Sequence, residues 1–92
     1  MHLTIKLLKP YSDVVGTNEL ELDFEGSTLH DLIQVLIELY PKLKNEWFTK
    51  DNELTDHLVV FVNDKPASAL HEFETRLKND DELVFFIPMS GG

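Results

Sequence analysis

Few side chains in this sequence are spaced to do chemistry. There is no cysteine, which removes disulfides, thiolate nucleophiles and cysteine-based metal sites together. The four histidines, His2, His30, His57 and His71, share no metal-ligand spacing, and none stands beside a serine or aspartate in a nucleophile arrangement, so no metal ligands are assigned. Gly16 and Gly26 are isolated and form no phosphate loop. Asp80-Asp81-Glu82 has the look of a solvated turn, because a catalytic carboxylate pair needs burial to drive two pKa values apart. What remains is Met89-Ser90-Gly91-Gly92. Two residues without side chains would fit a narrow tunnel, and the only functional group there is the α-carboxylate of Gly92. With an ordinary pKa of about 3.3 to 3.7 it is ionised and unreactive at neutral pH, so it would have to be activated before accepting anything. Taken alone, a Gly-Gly ending is also what a frayed terminus looks like.

The elements that would carry this tail follow from periodicity. His2 to Lys9 alternates, with Leu3, Ile5 and Leu7 on one face and Thr4, Lys6 and Leu8 on the other, and Glu19 to Phe24 alternates again; both predict strands. Pro10 to Asn18 breaks the pattern with Pro, Ser, Asp, Gly and Asn and reads as a loop. Thr28, followed three residues later by Asp31, predicts a helix start. Leu29, Leu32, Ile33, Leu36, Leu39 and Tyr40 then form one apolar stripe, which Pro41 ends. Lys42 to His57 loses periodicity and reads as a long loop anchored by Trp47 and Phe48. Leu58 to Val62 and Leu83 to Ile87 are apolar on both faces and predict strands, with a short strand around Pro66 to Leu70 and a tight turn at Lys78 to Asp81.

The order is strand, strand, helix, strand, short strand, strand. It predicts an α+β fold of the β-grasp, ubiquitin-like class, in which a mixed four- or five-stranded sheet carries one main helix on one face. The last strand would lie parallel to the first at the sheet centre. Residues 1–92 would make a single domain with a flexible tail at 89–92. Because one helix covers one face only, an apolar row of Leu8, Phe61, Val84 and Phe86 should look outward as a partner-binding surface, unless the segment Lys42 to His57 folds across it with Trp47 or Phe48.

Composition narrows the partners. Seventeen acidic side chains stand against eight basic ones, for a net charge of −9, and that field repels nucleic acid and anionic membrane surfaces. No apolar run approaches the ~18 residues that span a bilayer, and no basic-then-apolar leader opens the chain. The expectation is a soluble cytoplasmic protein with neither nucleic acid nor membrane as partner.

Phe61-Val62-Asn63-Asp64, Leu77 through Asp80-Asp81-Glu82-Leu83, and Phe85-Phe86-Ile87-Pro88-Met89-Ser90-Gly91-Gly92 together resemble the MoaD/ThiS sulfur-carrier family. That family typically shows an Asn-Gly-like turn, a Gly-Asp-Glu turn and a Phe-Phe-Pro-Pro-x-x-Gly-Gly ending. With Val15-Gly16 after the first strand, the resemblance spans nearly the whole chain. Asp64 and Asp80 stand where the family often has glycine, and Ile87 replaces the first proline of the ending. The long loop around Asp51-Asn52-Glu53-Leu54 looks more like the molybdopterin-type carriers than the shorter thiamine-type ones.

The resemblance implies a non-catalytic sulfur-carrier subunit of a molybdopterin synthase-like complex. A partner adenylating enzyme would use ATP on the Gly92 carboxylate, a sulfur donor would displace AMP, and the thiocarboxylate, on a tail with Gly91 and Ser90, would enter the large synthase subunit. The chain itself would bind no cofactor. Three other readings stay open: a ubiquitin-like modifier conjugated through Gly92, a thiamine-type sulfur carrier, and a plain β-grasp interaction module.

Overall fold

The computed structural model describes residues 1–55, 57–67 and 74–87. In chain order the elements are β1 (His2–Leu7), α1 (Tyr11–Val15), β2 (Glu19–Asp23), α2 (Leu29–Leu39), α3 (Lys42–Trp47), β3 (Val59–Val62), β4 (Lys65–Pro66) and β5 (Glu82–Phe86). The strands form one mixed sheet in the order β2-β1-β5-β3-β4. β5 lies at its centre, parallel to β1 and antiparallel to β3. The crossover that parallel pairing requires is supplied by the helices between the strands.

Alternation fixes the phase of every strand. Leu3, Ile5 and Leu7 of β1 and Leu83 and Phe85 of β5 are fully buried, as are Leu29, Leu32, Ile33 and Leu36 of α2. These residues belong to one continuous core. α2 begins with the capping box that the sequence announces. Thr28 Oγ1 accepts from the Asp31 N–H at 3.2 Å, and Asp31 Oδ2 accepts from the Thr28 N–H at 3.1 Å. Further bonds from Ser27 N–H and Oγ reach the same carboxylate oxygen. Backbone N–H groups of Ser27 and Thr28 thereby hold the Asp31 carboxyl below the usual carboxylate range. Gly26 is required here, because a Cβ would lie 2.5 Å from the Phe24 ring and 2.8 Å from Asp31 Cβ.

Two segments expected to be loops contain helices. α1 occupies part of Pro10 to Asn18, with Tyr11 fully buried and Gly16 ending it at φ 94°, a left-handed conformation that glycine adopts without steric cost. α3 opens the stretch read as a long loop and buries Leu43 and Trp47. Both helices span fewer than two turns, too short to be stable alone, and form because they close over the core. The short strand expected around Pro66 to Leu70 begins one residue earlier, at Lys65, and positions 68–70 lie outside the described residues.

Candidate docking face and acyl terminus

Gly92, Gly91 and Ser90 lie outside the described residues, so the site is built from what carries them. The tail follows β5, and β5 is held from its inner side by aromatic packing. The Phe85 ring stacks on Trp47 at 5.0 Å between centroids and 18° between planes, and Trp47 meets Tyr11 edge-on at 5.5 Å and 78°. Trp47 is therefore spent on the inner side of the sheet, and Phe48 also packs against the core. Neither lies across the outward row.

That row is assembled as alternation predicts. Val84 pairs with Lys6 on one side and with Phe61 on the other, and Phe86 pairs with Val59. The Phe61 and Phe86 rings touch at 5.4 Å between centroids. The Leu8 N–H donates to the Phe85 carbonyl at 3.0 Å, which seats Leu8, 50% exposed, beside the end of β5. Val84, Phe86 and Phe61 are half-buried. Sequence reasoning missed two contributors: Val59, which shares the phase of Phe61, and exposed Pro66, which pairs with Phe61 across β4. The period-two pattern of β3 was enough to find Val59.

The face is polarised along its strands. Leu8, Val59, Phe61, Val84 and Phe86 gather toward the end where β5 runs into the tail. Toward the other end lie Thr4, Glu82 and His2, with the acidic side chains of β2 along one edge. Lys6 Nζ reaches Glu82 Oε1 at 3.4 Å, and His2 sits between Glu21, at 3.0 Å, and Asp80, at 3.4 Å. A half-buried apolar row rimmed by charge has the composition that a protein-docking face requires.

The turn that launches β5 is rigidly tied. The buried Asp81 carboxylate accepts from Asn63 Nδ2 and from the Lys78 N–H, each at 2.7 Å, while Asn63 Oδ1 accepts from the Glu82 N–H at 2.9 Å. Asp64 at φ 70° and Asp80 at φ 69° are left-handed. These are the two positions where the resemblance expects glycine, and aspartate is among the few residues that tolerate the conformation. Among the described residues no group of three His, Asp or Glu side chains is placed to hold a metal ion, and no helix is long and apolar enough to cross a membrane.

Comparison with known proteins places this geometry. The sequence profile of the ThiS family matches residues 5–92. Small archaeal modifier protein 1 of Haloferax volcanii is 35% identical over 88 residues, covering 95% of this chain and 97% of the relative. Its crystal structure superposes with a TM-score of 0.85 at 30% identity, covering 100% of both chains. The solution structure of small archaeal modifier protein 1 of Methanosarcina acetivorans also gives a TM-score of 0.85, at 31% identity over 99% of this chain and 96% of the other. A protein of Archaeoglobus fulgidus provisionally named a sulfur carrier protein is 28% identical over 90 residues, covering 98% of this chain and 100% of the relative.

Proposed function

The chain belongs to the ThiS family, and on that premise we propose that it is a sulfur carrier whose Gly92 carboxylate is the acyl group of an adenylation cycle. A partner enzyme joins the carboxylate oxygen to the α-phosphorus of ATP, and pyrophosphate leaves. A hydrosulfide-level donor then forms the C–S bond as the bond from the acyl carbon to the AMP oxygen breaks, giving a thiocarboxylate. Delivered into a large synthase subunit, that sulfur is consumed in building molybdopterin. ATP belongs to the activating enzyme, and the chain contributes the acyl terminus and the surface that docks it.

The observation that carries this reading is placement. The apolar row of Leu8, Phe61, Val84 and Phe86 lies at the C-terminal end of β5, so a partner that covers the row sits beside the point from which the chain continues to Gly92. Hydrophobic desolvation supplies affinity there, and the acidic rim steers approach toward a basic partner surface.

A second reading is favoured by the names of the Haloferax and Methanosarcina relatives, which are modifiers. In it the same acyl-adenylate passes to a lysine amine and ends as an isopeptide bond. One experiment separates the two: the intact mass of the full chain after incubation with an activating enzyme, ATP and a sulfur source. Replacement of one oxygen by sulfur supports the carrier. Attachment to another protein with loss of water supports the modifier, and an unchanged mass under conditions that activate a known carrier rejects both.

A further inference from the structure

The two edges of the sheet are treated differently. β4, at one edge, is two residues long and carries Lys65 and Pro66, the usual means of blunting an edge against further pairing. β2, at the other, is five residues of unbroken register, from His2↔Asp23 to Lys6↔Glu19, with no proline, glycine, bulge or basic residue.

The hydrogen bonds show which groups that edge offers. Met1 and Phe24 exchange both main-chain bonds at 2.7 Å, and the Leu7 N–H donates to the Asn18 carbonyl at 3.0 Å. Antiparallel pairing alternates, so Leu22 and Leu20 spend their main-chain groups on β1, and those of Glu19, Glu21 and Asp23 point away from the sheet. Glu19 is engaged by the Thr17 hydroxyl. By that alternation the main-chain groups of Glu21 and Asp23 are the ones the register leaves for an added strand.

The side chains set what could pair there. Leu20 and Leu22 lie on the inner side of the sheet and are half-buried, whereas Leu22's neighbour Leu3 and Leu20's neighbour Ile5 are fully buried. One apolar flank is therefore uncovered. On the outward side Glu19, Glu21 and Asp23 present three exposed carboxylates. Directly opposed residues of an added strand share a face with their partners. A strand whose apolar residues fall beside Leu20 and Leu22 must place its intervening residues beside the three acids.

We propose that the β2 edge docks an extended segment of a partner protein in which basic and apolar residues alternate, added as a further strand of the sheet. A second copy of this chain is a poor occupant, because β2 against β2 opposes carboxylate to carboxylate on a chain of net charge −9. The site lies on the opposite edge from β4 and uses neither the tail nor the Phe86 patch, so its test is independent of the sulfur reading.

The probe is a capped peptide of alternating lysine and valine, about six residues long to match an ordinary strand. Its comparison is a peptide of the same composition with the lysines in one block. Amide exchange of the full chain, followed residue by residue by NMR, should slow about tenfold or more at Glu21 and Asp23 when the alternating peptide saturates. The block peptide should bind about tenfold more weakly. The double variant Glu21→Lys with Asp23→Lys, checked as folded by its spectrum, should transfer the preference to an alternating glutamate and valine peptide. Equal binding of both lysine peptides, or protection that avoids Glu21 and Asp23, overturns the proposal, and so does a response confined to Phe61 and Phe86.

Discussion

Neighbouring residues of β5 carry the same side chain to opposite ends. Phe85 is fully buried, stacked on Trp47 with Tyr11 behind it, and every apolar neighbour adds to the fold. Phe86, one residue on, lies on the other face against Phe61 and remains half-exposed. A strand needs only one buried face to fold, so the second aromatic is surplus to stability. The difference teaches that in a small sheet with helices on one side, the apolar residues that do not support the core are the ones to examine for binding.

The largest effect is expected where neither face is touched. If the Gly92 carboxylate is the reacting group proposed above, deleting Gly92, or adding one residue after it, should abolish transfer of sulfur in a reconstituted assay, with thermal unfolding of each variant as the control for folding. An extended, unprocessed chain with full activity is the result that sinks this.

The two phenylalanines come next. Phe85→Ala should cost about 3 to 5 kcal/mol of unfolding free energy, the price of an aromatic-sized cavity in a filled core. Phe86→Arg should cost about 1 kcal/mol or less, yet weaken a partner complex about thirtyfold or more, since it puts a charge into a desolvated contact. Denaturant melts and a binding titration on both variants check the pair. Reversed outcomes would mean that the outward row is Leu83, Phe85 and Ile87.

How much of this was legible in sequence depends on which interaction forms each element. β1 and β2 declare themselves by alternation, β3 and β5 as short apolar β-rich runs, and α2 by its stripe and its Thr28–Asp31 cap. The docking row follows from the same alternation. α1 and α3 do not declare themselves, because tertiary contact rather than local preference makes them helical. The spacing of Leu43 and Trp47 was visible, but one pair among Lys, Asn and Glu does not make a stripe. The stack of Trp47 on Phe85 joins residues far apart in sequence, which no local pattern encodes. Phe85 shares one core with the α2 residues Leu29, Ile33 and Leu36, and the aromatic ring stacked on it comes from α3.

The inner face can be sharpened at Tyr11. Its hydroxyl and Trp47 Nε1 are buried without a hydrogen-bond partner among the described residues. Burial pushes the phenol up to about 12, with Glu46 adding to the rise, while the nearby indole N–H opposes it without the geometry of a bond. A folded pKa above the unfolded value of about 10 means that ionisation of the phenol opposes folding, so stability is independent of this titration below pH 10 and falls as pH climbs toward 12. Tyr11→Phe removes the unpaired oxygen and should raise stability by about 1 kcal/mol at neutral pH. It should also flatten the alkaline decline between about pH 10 and 12. A destabilised variant would show that the hydroxyl has a partner after all.

The smallest effect is expected at the turn that feeds both faces of β5 equally. Asp80 holds φ 69°, a region in which a side chain is strained and glycine is not. Its one ion pair among the described residues, with exposed His2 at 3.4 Å, is worth little in solvent. Asp80→Gly should therefore gain about 0.5 kcal/mol, a rise of about 2 to 4 °C in the melting temperature of a domain this size. Because Asp81, Asn63 and Lys78 still tie the turn, the direction of β5 and the outward row should be unchanged, and partner affinity should match the unaltered chain. A variant that melts higher but binds less tightly would show that stability and docking are coupled through β5, and the division between its two faces would then fail.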